Sequence, residues 1–312
     1  MPDFSELSDF LRSRRAALTP EEIGLPRLGE RRRVPGLRRE ELALAAGLSV
    51  THYTRLEQGR THQVSDSVLD AIARTLRLTP DEHSHLMDLA RPGRPGPRRA
   101  PAPRTVCAEP GIRQLIDTFT ETPALVLDRR NDILAWNAMG HLLLAAHLDF
   151  DAPEHPARRP NLTRMLFLDE RTRALYPHWQ DEAQLAVASL RLVVGRHPHD
   201  KQLAELVGEL TVNSEEFAKR WARHPVRTCV AGTKEMDHPL VGPLELSFQS
   251  LLVPGAADQR MIAYSARVGT SSEAGLRLLV PSAGTRSAGA LPGVQSSPGV
   301  SVRASRPSRS AS

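Results

Sequence analysis

At 312 residues, 40% hydrophobic and 25% charged, the chain is long enough for two packed domains and too apolar to be disordered throughout. Its two cysteines, Cys107 and Cys229, form no CxxC pair, which excludes a zinc ribbon and argues against a disulfide framework. The net charge of +5 is uneven: the basic excess sits at the two ends, and nearly all of it is arginine, the better group for bidentate phosphate and guanine contacts.

Residues 5–17 predict a first helix, with Leu7, Phe10 and Leu11 on one face. A loop broken by prolines and glycines follows, and from Arg27 to Arg39 it holds six arginines and one acid. Residues 37–60 read LRREELALAAGLSVTHYTRLEQGR. Here Leu42 and Ala46 point to a core, Ala43 leaves room for a neighbouring helix, and Gly47 tolerates the positive φ needed to leave the first helix. Leu48 fills the turn, Ser49 is a natural N-cap, and Tyr53 and Leu56 return apolar groups to the core. Two helices crossing steeply with almost no chain between them make a helix-turn-helix, whose second helix enters the major groove of DNA.

That register sorts the second helix by exposure. Val50, Thr51 and Arg55 lie outward as base-contacting candidates: Arg55 for guanine O6 and N7, Val50 for a thymine methyl, Thr51 for either kind of contact. His52, Gln58 and Arg60 are placed for phosphates, as are Arg38 and Arg39 beside the first amides of the preceding helix. An ordinary helical hairpin with a solvated arginine face would share this spacing. SDSVLDAIARTLRL predicts a fourth helix, and Thr79-Pro80-Asp81-Glu82 starts a fifth that runs to about Ala90.

RPGRPGPRRAPAPR, residues 91–104, is too rich in proline for a helix or central strand and reads as a semi-rigid basic linker. The expected organisation is a domain at 1–90, the linker at 91–104, a second domain at 105–280 and a disordered tail at 281–312. The linker predicts that a fragment ending near residue 95 folds alone. In the second domain GIRQLIDTF is helical, and PALVLD and DILAWN are short strands. Helices NLTRMLFLD, RALYPHWQDEAQLAVASLRLVVGR, KQLAELVGEL and SEEFAKRWARH fill roughly 161–223. VRTCVAGTKEMDH, PLELSFQSLLV and RMIAYSARV are three later strands. The order implies an antiparallel sheet with helices on one side. Trp136, Phe167, Trp179 and Trp221 are candidates for its core and for the lining of an apolar ligand pocket.

HSH at 83–85 and HPHD at 197–200 are expected to be surface histidines. No HExxH, GxSxG, GxxxxGK[ST] or GxGxxG occurs, so neither a metal nor a cofactor is called for. MPDFSELSDFLRSRR places acids ahead of any apolar run, unlike a signal peptide, and no run of 18 apolar residues predicts a membrane span. The cytoplasm, around the nucleoid, is the expected location.

The EELA–AG–S–YTRLEQGR frame resembles the XRE (phage Cro/repressor-like) DNA-binding helices, over about residues 5–90. The resemblance implies base reading from the start of the second helix, here Val50, Thr51 and Arg55. It departs at Arg39, where the family often has a phosphate-gripping glutamine. RRRVPGLRREELA, TPALVLDRRNDILAWN, NLTRMLFLDERTRALYPHW and GTKEMDHPLVGPLEL are similar to the MmyB-like regulators along almost the whole chain. That likeness implies an α+β two-domain fold: an all-α lambda-repressor-like domain, then a PAS-like antiparallel sheet with helices. It also implies a transcription regulator that binds double-stranded DNA, as a homodimer, and senses a small apolar ligand. The competing reading is a metabolite-binding protein or enzyme whose N-terminal helices serve protein contacts.

Overall fold

The computed structural model describes residues 5–25, 36–60, 64–91, 107–256 and 258–280. The basic loop from Arg27 to Val34, the linker beyond Arg91 and the tail from Pro281 lie outside these residues.

Five helices build the N-terminal half: α1 (Ser5–Ala17), α2 (Arg39–Ala45), α3 (Val50–Glu57), α4 (Asp66–Thr75) and α5 (Pro80–Ala90). Each contributes an apolar stripe to one core that joins Leu7, Phe10, Leu42, Tyr53, Ile72 and Leu86. Thr79 caps α5 as its sequence predicts. Its hydroxyl accepts from the Glu82 amide at 3.3 Å, and the Glu82 carboxylate accepts from the Thr79 amide at 2.8 Å.

The C-terminal half runs α6 (Pro110–Asp117), β1 (Ala124–Leu127), β2 (Ile133–Trp136), α7 (Ala138–Ala145), α8 (Leu162–Leu168), α9 (Glu170–Ala174), α10 (Trp179–Arg196), α11 (Lys201–Asn213), α12 (Glu215–Trp221), β3 (Ala231–His238), β4 (Gly242–Leu252), β5 (Arg260–Ser265) and α13 (Ser271–Leu279). The strands form one antiparallel sheet in the order β2-β1-β5-β4-β3. Along β4 the period of two is plain: Leu244, Leu246 and Phe248 are buried, and Glu245, Ser247 and Gln249 are exposed.

The structure corrects five details. The long helix read through 173–196 is two, because Pro177 lacks the amide that a continuous helix needs. The strand expected from Val226 starts at Ala231, and α13 went unread. Helices do not keep to one side of the sheet. While Leu125, Leu127 and Phe248 face one core, Val126, Leu134 and Met261 face a second core on the other side, with Ile112 and Ile116 of α6. This is why β1 and β2 are buried at every residue. Finally, His85 is not a surface residue. It is 1% exposed and meets the Phe10 ring edge-on, centroids 5.2 Å apart, while His83 bonds Asp70 at 2.8 Å.

Candidate nucleic-acid interface and internal cavity

The α2–α3 corner is built as its residues require. Gly47 sits at φ +70°, where a side chain would be strained, and its amide donates to the Leu44 carbonyl at 3.1 Å. The Leu48 amide turns back to the Ala43 carbonyl at 2.8 Å. The Ser49 hydroxyl accepts from the His52 amide at 3.1 Å and starts α3. Tyr53, Leu56 and Glu57 face inward. Val50, 42% exposed, shares the open face with Thr51, Arg55, Gln58 and Arg60. Arg38 is exposed at the start of α2, where its amide donates to the Glu41 carboxylate at 2.7 Å.

Glu57 is the one inward carboxylate of α3, 2% exposed, and it holds three helices together. Arg15 of α1 donates to both of its oxygens at 3.0 Å and to the Leu37 carbonyl at 2.6 Å. Arg39 of α2 donates to Oε1 at 3.0 Å. Burial pushes the Glu57 carboxyl up, but the hydrogen bonds from Arg15 and the charges of Arg15 and Arg39 outweigh it, so the group is held below its ordinary value. Arg15 and Glu57 were missed in the sequence. The available signal was an acid four residues after Tyr53, on the buried stripe, which requires a buried cation.

A cavity of about 130 Å³ lies between the inner face of the sheet and α8–α10. Its walls are largely apolar, with Leu144, Leu166, Leu185 and Ile262 among them. One side is polar. Lys234 pairs with Glu182, its ammonium 4.9 Å from the Phe248 ring centroid. Arg260 donates to the Asp128 carbonyl at 3.0 Å and to Asn131, and burial pulls its pKa down. Burial pushes the nearby Tyr264 hydroxyl and Cys229 thiol up, so both are neutral at pH 7.

With these features in place, two family matches are informative. A helix-turn-helix domain matches residues 6–86, and the MmyB-like transcription regulator ligand binding domain matches residues 108–279. The chain belongs to the MmyB-like regulators. No curated protein matches it. It is therefore a DNA-binding transcription regulator with a ligand-binding half. Among the described residues, no helix is long and apolar enough to cross a membrane.

This MmyB-like regulator places some expected site residues differently. The His52 ring, a phosphate candidate, has its Nε2 buried without a partner, because the residue lies between the exposed and core faces of α3. Arg39 is committed to Glu57, although its side chain stays 44% exposed. None of Trp136, Phe167, Trp179 and Trp221 lines the cavity. Trp136 donates to the Phe150 carbonyl at 2.8 Å, and Trp179 to that of Leu166 at 2.9 Å. Phe167, Trp179 and Trp221 gather around Phe217 in a separate core among α8, α10, α11 and α12. Indole N–H groups need acceptors when buried, and here the last turn of α8 and the turn at Phe150 supply them.

Proposed function

We propose that this regulator reads its operator with α3, using Arg55, Val50 and Thr51 on bases and Arg38, Gln58, Arg60 and the partly exposed Arg39 on phosphates. The observation that carries the reading is the division of α3: one face packs into the core, and the other presents an arginine beside two small groups without an apolar patch. A protein-docking helix would instead show contiguous exposed apolar surface there. Arg55→Ala is expected to cost about 1–3 kcal/mol on the selected operator and to relax base preference. Fragment selection from genomic DNA followed by titration checks this. Equal loss on operator and random duplex would make Arg55 a phosphate contact only.

We infer a homodimer acting on cytoplasmic DNA, with half-sites about 34 Å or a multiple of that apart, since one such helix reads few base pairs. Light scattering of the operator complex is expected to show two chains. We infer that the regulator acts by binding rather than catalysis, on a small, largely apolar molecule held in the cavity. Its apolar walls support this, and its charged groups Lys234 and Glu182 are already paired with each other. Native mass spectrometry of protein from cells, with thermal shifts against apolar metabolites, tests it. No bound species and no shift at saturation would remove the ligand while leaving DNA binding intact.

A further inference from the structure

Helix α10 has two occupations. Glu182, Leu185, Ala186 and Ser189 line the cavity. Within two turns, Arg191, Gly195 and Arg196 meet the helix-turn-helix half. Arg191 is fully buried; it donates to Glu6 of α1 at 2.8 Å and to the Trp221 carbonyl at 2.5 Å, and lies 3.8 Å from the Trp221 ring centroid. Arg14 of α1 reaches back, donating to the His224 carbonyl at 2.5 Å and pairing with Glu82 at 3.1 Å. Its neighbour Arg15 holds Glu57 of α3. Adjacent residues of α1 thus grip the ligand-binding half and the helix-turn-helix.

This seam is tight but poorly satisfied. At Gly195 a Cβ would lie 2.6 Å from His85 Cε1, so α10 and α5 have no slack between them. Arg14 Nε, Arg191 Nε, His224 Nδ1 and both His85 ring nitrogens are buried without a hydrogen-bond partner. These are five of the seven such side-chain atoms among the described residues. Buried polar atoms left unpaired cost stability that water returns on opening. The surrounding charges, Arg14, Arg191, Arg196, Glu6, Glu82 and Asp88, further favour hydration. The joint is built to part more readily than a packed apolar core.

We propose that the seam between α1–α5 and α10–α12 is a latch that filling of the cavity opens, with Arg191 and Arg14 as its positioning residues. The inference rests on the ligand-sensing reading above. An occupant larger than the present cavity pushes α10 away from the sheet. The close approach at Gly195 leaves that displacement nowhere to go except into the seam. Opening breaks the Arg191–Glu6, Arg14–His224, Arg196–Asp88 and Thr228–Asp81 contacts, which loosens α1 and α5 and releases the helix-turn-helix half from the ligand-binding half. The differential between closed and open arrangements is what a ligand needs to change operator affinity.

Hydrogen exchange on the full chain tests this without knowing the ligand. Ser189→Leu fills the cavity from α10, and Ala186→Phe does so one turn earlier. Either is expected to speed exchange of the α1 and α5 amides about 5- to 150-fold, the span of ordinary allosteric couplings. Arg191→Leu is expected to do the same alone, and Ser189→Leu should then add little to it. Gly195→Ala opens the seam from the other side, leaving the cavity lining unchanged. Faster exchange confined to α8–α10 in the cavity variants, with α1 and α5 unchanged, overturns the latch. So does a cavity that tolerates neither larger side chain, by circular dichroism. A working latch with no ligand found in cells would refute sensing alone.

Discussion

Glu57→Ala is expected to destabilise the helix-turn-helix half by about 3–5 kcal/mol, because it leaves the buried Arg15 guanidinium without its carboxylate. The loss falls on the joint of α1, α2 and α3, so hydrogen exchange of those helices should rise together. DNA binding should fall with it, although Glu57 itself faces away from the recognition surface. Exchange or urea unfolding monitored on α1–α3 measures the effect, and a change under about 1 kcal/mol would show the clamp to be solvated and weak. The pH dependence has a definite sign. Glu57 has a folded pKa below its ordinary value of 4.5, so its stabilising contribution is complete above that value and is lost as pH falls through the folded pKa. The difference between wild type and Glu57→Ala should therefore be constant near neutrality and narrow below about pH 4.5.

Asn137→Ala is expected to have a comparable effect in the ligand-binding half. Asn137 is buried, and its Oδ1 accepts from the Ala124 amide at 3.0 Å and the Gly140 amide at 2.8 Å. Its Nδ2 donates to the carbonyls of Ile116, Phe119 and Thr122 at 3.2, 2.9 and 2.8 Å. One side chain thus joins the end of α6, the start of β1 and the first turn of α7. Removing it strands two buried amides, at about 1–3 kcal/mol each, for a total near 2–6 kcal/mol. The three carbonyls lose a donor as well. Thermal or urea unfolding of the full chain should show the C-terminal half melting first. Asn137→Asp keeps the two acceptor contacts but sets a carboxylate against three carbonyls, so it should rescue little. An unchanged midpoint for Asn137→Ala would mean that α6 and α7 are held by apolar packing alone.

Some of this was legible from local chemistry. The α2–α3 corner follows from Gly47, Ser49 and the spacing of Leu42, Tyr53 and Leu56, because turn geometry, capping and helical period are properties of neighbouring residues. The strands read correctly where side chains alternate, as in β4. The α13 helix was not read although Thr270 caps it, its hydroxyl accepting from the Glu273 amide at 3.3 Å. Its short amphipathic stretch sits close to a Ser-, Gly- and Pro-rich run, and composition there outweighed periodicity.

What the sequence by itself determined was the helix-turn-helix, the α+β division of the chain and the face of α3 that looks outward. Each depends on patterns a few residues long. Only the tertiary structure decided that Arg15, Arg39 and Glu57 share one buried contact, across 42 and 18 residues of chain. The same is true of the cavity. Its lining comes from eight helices and strands and the loops between them, so that no single segment carries its signature, and three of the four aromatic residues expected at its walls, Phe167, Trp179 and Trp221, fill a helical core instead. The seam at Arg191 is the furthest from local reading: Glu6 and Arg191 are 185 residues apart, and a fully buried arginine becomes tolerable only where the fold brings a carboxylate, a carbonyl and an indole face to the same place.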